Sequence, residues 1–99
     1  MATLSPHRSQ ALGRLDRGAL PPADAYFASI GNPLRGRGAW RDALCPFHSD
    51  SRPSLRVRAD SGAYRCMACG AHGKDILTFH IQRTGLPFVR AARELGALT

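Results

Sequence analysis

Cys45-Pro46-Phe47-His48 and, 17 residues further on, Cys66-Met67-Ala68-Cys69-Gly70 decide how this chain folds. Each group sets two metal-ligating side chains on either side of two residues, the spacing at which a tight knuckle aims both at one ion. Gly70 follows the second knuckle, where a residue without Cβ lets the backbone turn close to the sulfur. The interval of 17 residues is long enough for a strand, a turn and a strand, so a hairpin carries the second knuckle back beside the first. Three thiolates and one imidazole close a tetrahedral site with no open position, which makes the expected Zn2+, one per chain, structural rather than catalytic. The knuckles use all three cysteines, an odd number that disulfides would leave with one thiol over. His72 is the alternative imidazole, at an awkward distance from Cys69, and otherwise a loop residue available to phosphate.

Outward from the knuckles, residues 54–58 alternate, Leu55 and Val57 against Ser54, Arg56 and Arg58, which predicts a half-buried strand. Ala59-Asp60-Ser61-Gly62 supplies a turn, and residues 63–65 return as the partner strand into Cys66. Residues 40–44 read as a further strand leading into Cys45. Two helices follow the second knuckle. The first covers about 75–82, with Asp75 as its N-cap and Gly85 ending the segment. The second starts near Pro87 and sets Phe88, Ala91, Ala92 and Leu95 on one face, and Gly96 closes it. Upstream, residues 23–30 form a short helix with Tyr26, Phe27 and Ile30 on its apolar side; Gly31-Asn32-Pro33 stops it and Arg35-Gly36-Arg37-Gly38 is a basic loop.

The chain of 99 residues is one domain at most, with Leu, Ile, Val and Phe numbering 20. A folding unit of that size buries little apolar surface and needs a staple, which the metal provides. Residues 1–20 lack sustained periodicity and Pro21-Pro22 follows them, so residues 1–22 read as a flexible basic tail and 23–99 as the domain. That start contains no continuous apolar run, which excludes a secretory signal, and nothing approaches a membrane span. An organellar transit peptide is the other reading of the Arg-rich start, weakened by Asp16 and Asp24. A cytoplasmic, reducing location keeps the thiols free for metal.

The formal net charge is +7, and 13 of the 14 basic residues are arginine. Such a balance points to a polyanionic partner, most often nucleic acid, although a coding bias toward Arg, Ala and Gly yields the same count. The candidate nucleic-acid contacts are Arg52, Arg56, Arg58 and Arg65 on or near the hairpin, Lys74 beyond the second knuckle, and the aromatic faces of Trp40 and Tyr64. Cations interleaved with aromatics hold single strands without strong sequence demands. Tyr64 and Trp40 are open to a second reading as core residues of a small sheet. Arg83, Arg90 and Arg93 read as ordinary exposed charges.

CPFH at 45–48, RPSLRV at 52–57, YRCMACGAHGKDILTF at 64–79 and GLPFVRAARELG at 85–96 together resemble the zinc-binding domain of bacterial, DnaG-type primases. The resemblance covers roughly residues 24–97. It implies an α+β zinc ribbon, a small antiparallel sheet with flanking helices. It also implies a module that reads single-stranded template and cooperates with a separate polymerase that makes the primer. Leu55 stands where the family commonly has an aromatic, and the tail has no counterpart. No Toprim-type polymerase domain follows before Thr99, and the seven carboxylates are scattered singly, so catalysis in this chain alone is not expected. Met1 and the tail lean toward a complete gene product, with a fragment of a longer primase as the open alternative. The expected partners are single-stranded DNA and a separate primase polymerase subunit or replicative helicase. The alternative is a protein-interaction module docking on a helicase or primase through residues 75–98.

Overall fold

The structure, a computed structural model, describes residues 14–49 and 52–98. Four strands, β1 (Trp40–Ala43), β2 (Leu55–Arg58), β3 (Tyr64–Cys66) and β4 (His72–Gly73), form one antiparallel sheet in sequential order. Three helices accompany it: α1 (Ala23–Ser29), α2 (Ile76–Thr84) and α3 (Phe88–Glu94). The architecture is the expected α+β arrangement, with β4 as an addition. Two residues are too short to show a period; β4 exists because Gly73 and His72 pair with Tyr64 and Arg65.

Alternation along β2 and β3 turns Leu55, Val57, Tyr64 and Cys66 to one side, where all four are buried. The α1 residues Tyr26 and Phe27 and the α2 residues Ile76 and Phe79 join them in a single core cluster. Phe79 is its centre, with ring centroids at 4.7 Å from Phe27, 4.9 Å from Tyr64, 5.4 Å from Phe47 and 5.9 Å from Tyr26. Three of these pairs, those with Tyr64, Phe47 and Tyr26, meet edge-on, and such contacts contribute beyond the area they bury, about 0.5–1.5 kcal/mol per pair.

Helix α2 begins as the sequence predicts: the Asp75 carboxylate accepts from the Thr78 backbone N–H at 2.9 Å, and Gly85 ends the helix in the left-handed region. It runs two residues past Gln82, to Thr84. Helix α3 keeps Ala91 and Ala92 in a second cluster with Leu77 and Ala97, whereas Phe88, placed by periodicity on the same face, is 45% exposed.

The segment 14–22, assigned by composition to the tail, lies against the domain. The Asp16 N–H donates to the Ala97 carbonyl at 2.7 Å, Leu15 bridges to Leu98, and Leu15 and Leu20 pack on the second cluster. Asp16 caps a short 3-10 turn, Arg17–Ala19, and Arg17 pairs with Asp75. Two leucines five positions apart carry no periodic signal, and their partners sit at the other end of the chain. The remainder of the expected tail, residues 1–13, lies outside the described residues.

Candidate metal centre and the sheet face beside it

Each knuckle hangs from the end of a strand. Cys45 follows β1 after one residue, and Asn32 brackets that residue: its side-chain amide donates to the Leu44 carbonyl at 2.7 Å and accepts from the Leu44 N–H at 3.1 Å. Sequence reasoning gave Asn32 only a role in ending α1, because a partner 12 residues away leaves no local signal. Cys66 is the last residue of β3, and the turn after it closes through the Gly70 N–H to the Cys66 carbonyl at 3.0 Å. Gly70 has φ of 82°, the left-handed region in which a side chain is strained.

The ligand atoms of Cys45, His48, Cys66 and Cys69 all lie within 4.8 Å of one another. Cys45 Sγ is 3.8 Å from Cys69 Sγ, and Cys66 Sγ is 3.4 Å from His48 Nε2. A tetrahedron with Zn–S of about 2.3 Å and Zn–N of about 2.0–2.1 Å has edges near 3.8 Å for S···S and near 3.5 Å for S···N. Both separations therefore fit zinc. His48 Nδ1 donates to the Ser49 carbonyl at 2.9 Å, which orients the ring and leaves Nε2 to ligate. His72, the alternative ligand, stands outside this cluster on β4, its Nδ1 3.1 Å from the Gly70 carbonyl.

The electrostatics of the cluster call for a cation. Burial first, and then the hydrogen bonds that its own S–H donates toward Cys66 and Cys69, push the Cys45 thiol up to about 12, against an opposing backbone N–H of Phe47. Burial acts in the same direction on Cys66. There it is outweighed by donors from the Ser54 hydroxyl at 3.5 Å and the Cys69 and Ala68 N–H groups at 3.3 Å, which hold that thiol at about 5. One thiol is thus set up as a thiolate while its neighbour resists ionising, and only a bound positive ion makes both anionic together.

Beyond the cluster, the outer face of the sheet carries Trp40, Arg56, Arg58 and Arg65. Register sets Arg56 opposite Arg65 and opposite Asp42, and Arg65 opposite His72, so Asp42, Arg56, Arg65 and His72 form one row across all four strands. Trp40 is 39% exposed, with the Arg58 guanidinium 5.7 Å from its ring centre. Arg58 also donates to Asp60 at 2.9 Å, and Arg56 pairs with Asp42 at 3.2 Å. Arg52 and Lys74 are exposed, on the connection before β2 and just after β4.

Tyr64 departs from the nucleic-acid set. It is buried at 2% exposure, its ring against Phe79 and its hydroxyl donating to Gln82 at 2.6 Å. Position 64 shares the phase of Cys66, which faces the core, so strand alternation decides between the two readings in favour of packing. Met67 is the surface residue that sequence reasoning missed; it sits inside the second knuckle, 70% exposed, and with Trp40, Arg56 and Arg65 lines a hollow on this face.

The sheet, the paired knuckles and the Cys3His donor set define a zinc ribbon. Residues 32–99 match the family model of the CHC2 zinc finger, the DnaG zinc ribbon, and the chain belongs to that family. The DNA primase of Geobacillus stearothermophilus is 39% identical over 64 residues, which is 65% of this chain and 11% of that protein. The DNA primase of Escherichia coli K12 is 38% identical over 65 residues, 66% of this chain and 11% of the relative. That of Neisseria meningitidis serogroup A is 41% identical over 64 residues, with 65% and 11% covered. The chain thus spans about a tenth of the length of these relatives. The crystal structure of the Aquifex aeolicus primase (zinc binding and RNA polymerase domains) superposes with a TM-score of 0.61 at 28% identity, over 75% of this chain and 18% of that one.

Proposed function

We propose that this chain is a recognition module for primer synthesis in DNA replication: it holds one structural zinc ion and binds single-stranded DNA across the outer face of its sheet. A separate polymerase, with a replicative helicase as a further partner, would complete the reaction in the cytoplasm. Zinc, when bound, supplies folding energy and fixes the two knuckles to each other. This chain's own residues supply the contacts: Arg56, Arg58 and Arg65 on the sheet, Arg52 and Lys74 at its edges, and Trp40 as an aromatic surface. The observation that carries the reading is the placing of Arg56 directly against Arg65 on adjacent strands. Like charges so placed cost stability, and a polyanion laid across them reverses the sign of that interaction.

The test is a fluorescence-anisotropy titration of the zinc-loaded chain with labelled single- and double-stranded oligonucleotides across a salt series. Tighter binding of the single strand, with affinity falling steeply as salt rises and falling again in Arg56→Ala/Arg58→Ala, is the expected result. A second reading rests on the exposed Phe88 and Val89 of α3, at 45% and 38%: a protein-docking module. A partner affinity that survives both salt and the arginine substitutions, with no binding of either oligonucleotide, would favour it. Among the described residues no helix is long and apolar enough to cross a membrane.

A further inference from the structure

We infer that the hollow bounded by Trp40, Arg56, Arg65 and Met67 is a nucleobase slot, which takes one unstacked base of the bound strand against the indole of Trp40 and the thioether of Met67. The inference rests on the reading of this sheet face as a single-strand surface, and deepens it by giving the strand's base a place. The hollow measures about 350 Å³, inside the roughly 300–1,000 Å³ range of small-ligand sites. Its walls are of two kinds. Trp40 and Met67 are among the few large apolar side chains the fold leaves exposed, at 39% and 70%, and they stand at one hollow although 27 positions apart in sequence. A purely phosphate-binding surface has no use for either. Arg56 and Arg65 form the rest, and the Arg65 side chain has no hydrogen-bond or ion-pair partner among the described residues.

The walls are held before any ligand arrives. Trp40 pairs with Arg58 in the sheet, and the Arg58 guanidinium lies over the indole while Asp60 holds its Nε at 2.9 Å. The Met67 N–H donates to the Ser54 carbonyl at 2.8 Å, and Met67 directly follows the zinc ligand Cys66, so the knuckle fixes its backbone. Prior ordering of this kind removes entropy that binding would otherwise cost. Base–aromatic contact is tolerant of base identity because every base has a π-face, and the soft thioether adapts to the opposite side. The arginines beside the slot reach the phosphates flanking that base.

Trp40 is the only tryptophan in the chain, so intrinsic fluorescence reports on the slot directly. The zinc-loaded protein is titrated at low salt with oligothymidylate and with an abasic deoxyribose-phosphate strand of the same length, following anisotropy and tryptophan emission together. The slot predicts quenching by the base-bearing strand alone, and an affinity for it roughly 5- to 100-fold above that for the abasic strand. Trp40→Ala should abolish that advantage, bringing the affinity for the base-bearing strand down to that for the abasic strand. Met67→Ala, at an exposed position outside the core, should reduce the same advantage and serves if Trp40→Ala does not fold. Equal affinity for both strands with unchanged emission would overturn the slot and leave the cationic face standing. Binding of neither strand would remove the single-strand reading itself, and the slot with it.

Discussion

Arg56 and Arg65 stand directly opposite each other across β2 and β3, and only Arg56 has a carboxylate partner, Asp42, among the described residues. Opposed like charges on one sheet face destabilise it, and salt screens the repulsion. Arg65→Thr, which keeps a strand-forming residue, should therefore stabilise the zinc-loaded protein by roughly 0.2–1 kcal/mol at low ionic strength. The gain should shrink as salt rises. The same substitution should weaken single-strand binding and lower the slope of log affinity against log salt by about one. Thermal unfolding and binding series on one preparation check both halves; a destabilised variant with an unchanged slope would contradict the charge argument.

The metal cluster carries the second prediction. Cys45 and Cys66 are buried neighbours whose thiols sit at about 12 and about 5 without a cation, so near neutral pH they are not both anionic until an ion arrives. Apparent zinc affinities in such sites are on the order of 10 kcal/mol or more, comparable with the whole stability of a small domain. Chelation, or Cys69→Ser, should consequently release zinc and abolish cooperative unfolding. Circular dichroism with metal analysis by mass spectrometry under native conditions reads this, and a cooperatively folding metal-free protein would refute the structural role.

How much of this was legible follows from how local each signal is. The knuckles, the alternation of Leu55 and Val57, and the Asp75 cap each depend on residues within a few positions, and each emerges in place. The aromatic reading of Tyr64 is resolved by its phase relative to Cys66, which required knowing which face is inward. Three features have no local trace. Residues 14–20 dock because Leu15 meets Leu98. Asn32 holds the entrance to the first knuckle. His80, an unremarked helix residue in the sequence, is buried where its Nε2 donates to Glu94 at 2.8 Å and its Nδ1 meets the Tyr26 hydroxyl at 2.8 Å, linking the three helices.

That last network is testable on its own. Tyr26→Phe removes the hydroxyl that both His80 and Arg83 contact, at 2.8 and 3.2 Å, and leaves the buried His80 nitrogen without its partner. An orphaned buried polar group costs about 1–3 kcal/mol. Chemical denaturation of the zinc-loaded variant should show a loss in that range with an unchanged denaturant slope. A neutral substitution would mean that water replaces the hydroxyl.

Gly73 is fixed by a close approach rather than by its dihedral angles. It pairs with Tyr64 across β3 and β4, and a Cβ there would fall 2.5 Å from the tyrosine hydroxyl and 2.6 Å from two ring carbons. Gly73→Ala must displace the ring from Phe79, an overpacking cost of about 1–3 kcal/mol. Truncating the ring relieves the clash, so Gly73→Ala/Tyr64→Leu should lose less than the sum of the two single variants, with a coupling above about 0.5 kcal/mol. Strict additivity in denaturation free energies would place the cost elsewhere.

The two buried tyrosines also make the fold lose stability in alkali. Burial, followed by the nearby Asp75 and Tyr26, pushes Tyr64 up to about 12. Burial raises Tyr26 as well, with Arg83 opposing it. In the unfolded chain both titrate near 10. Below about pH 10 both states keep their phenolic protons, and the tyrosines make no pH-dependent difference. As pH climbs from about 10 to about 12, the unfolded chain releases protons that the native state retains, so fewer protons are bound in the unfolded state and stability falls. Tyr64 alone accounts for a loss on the order of 2–3 kcal/mol by pH 12. Because the chain has two tyrosines only, tyrosinate absorbance can be followed without crowding. It should remain low in the zinc-loaded protein past pH 10 and then rise together with the loss of the circular-dichroism signal. Tyr64→Phe should cost stability at neutral pH, through the lost bond to Gln82, yet show a shallower decline above pH 10. A gradual tyrosinate titration centred near 10 for both residues, with the fold intact, would show that Tyr64 is reached by solvent after all.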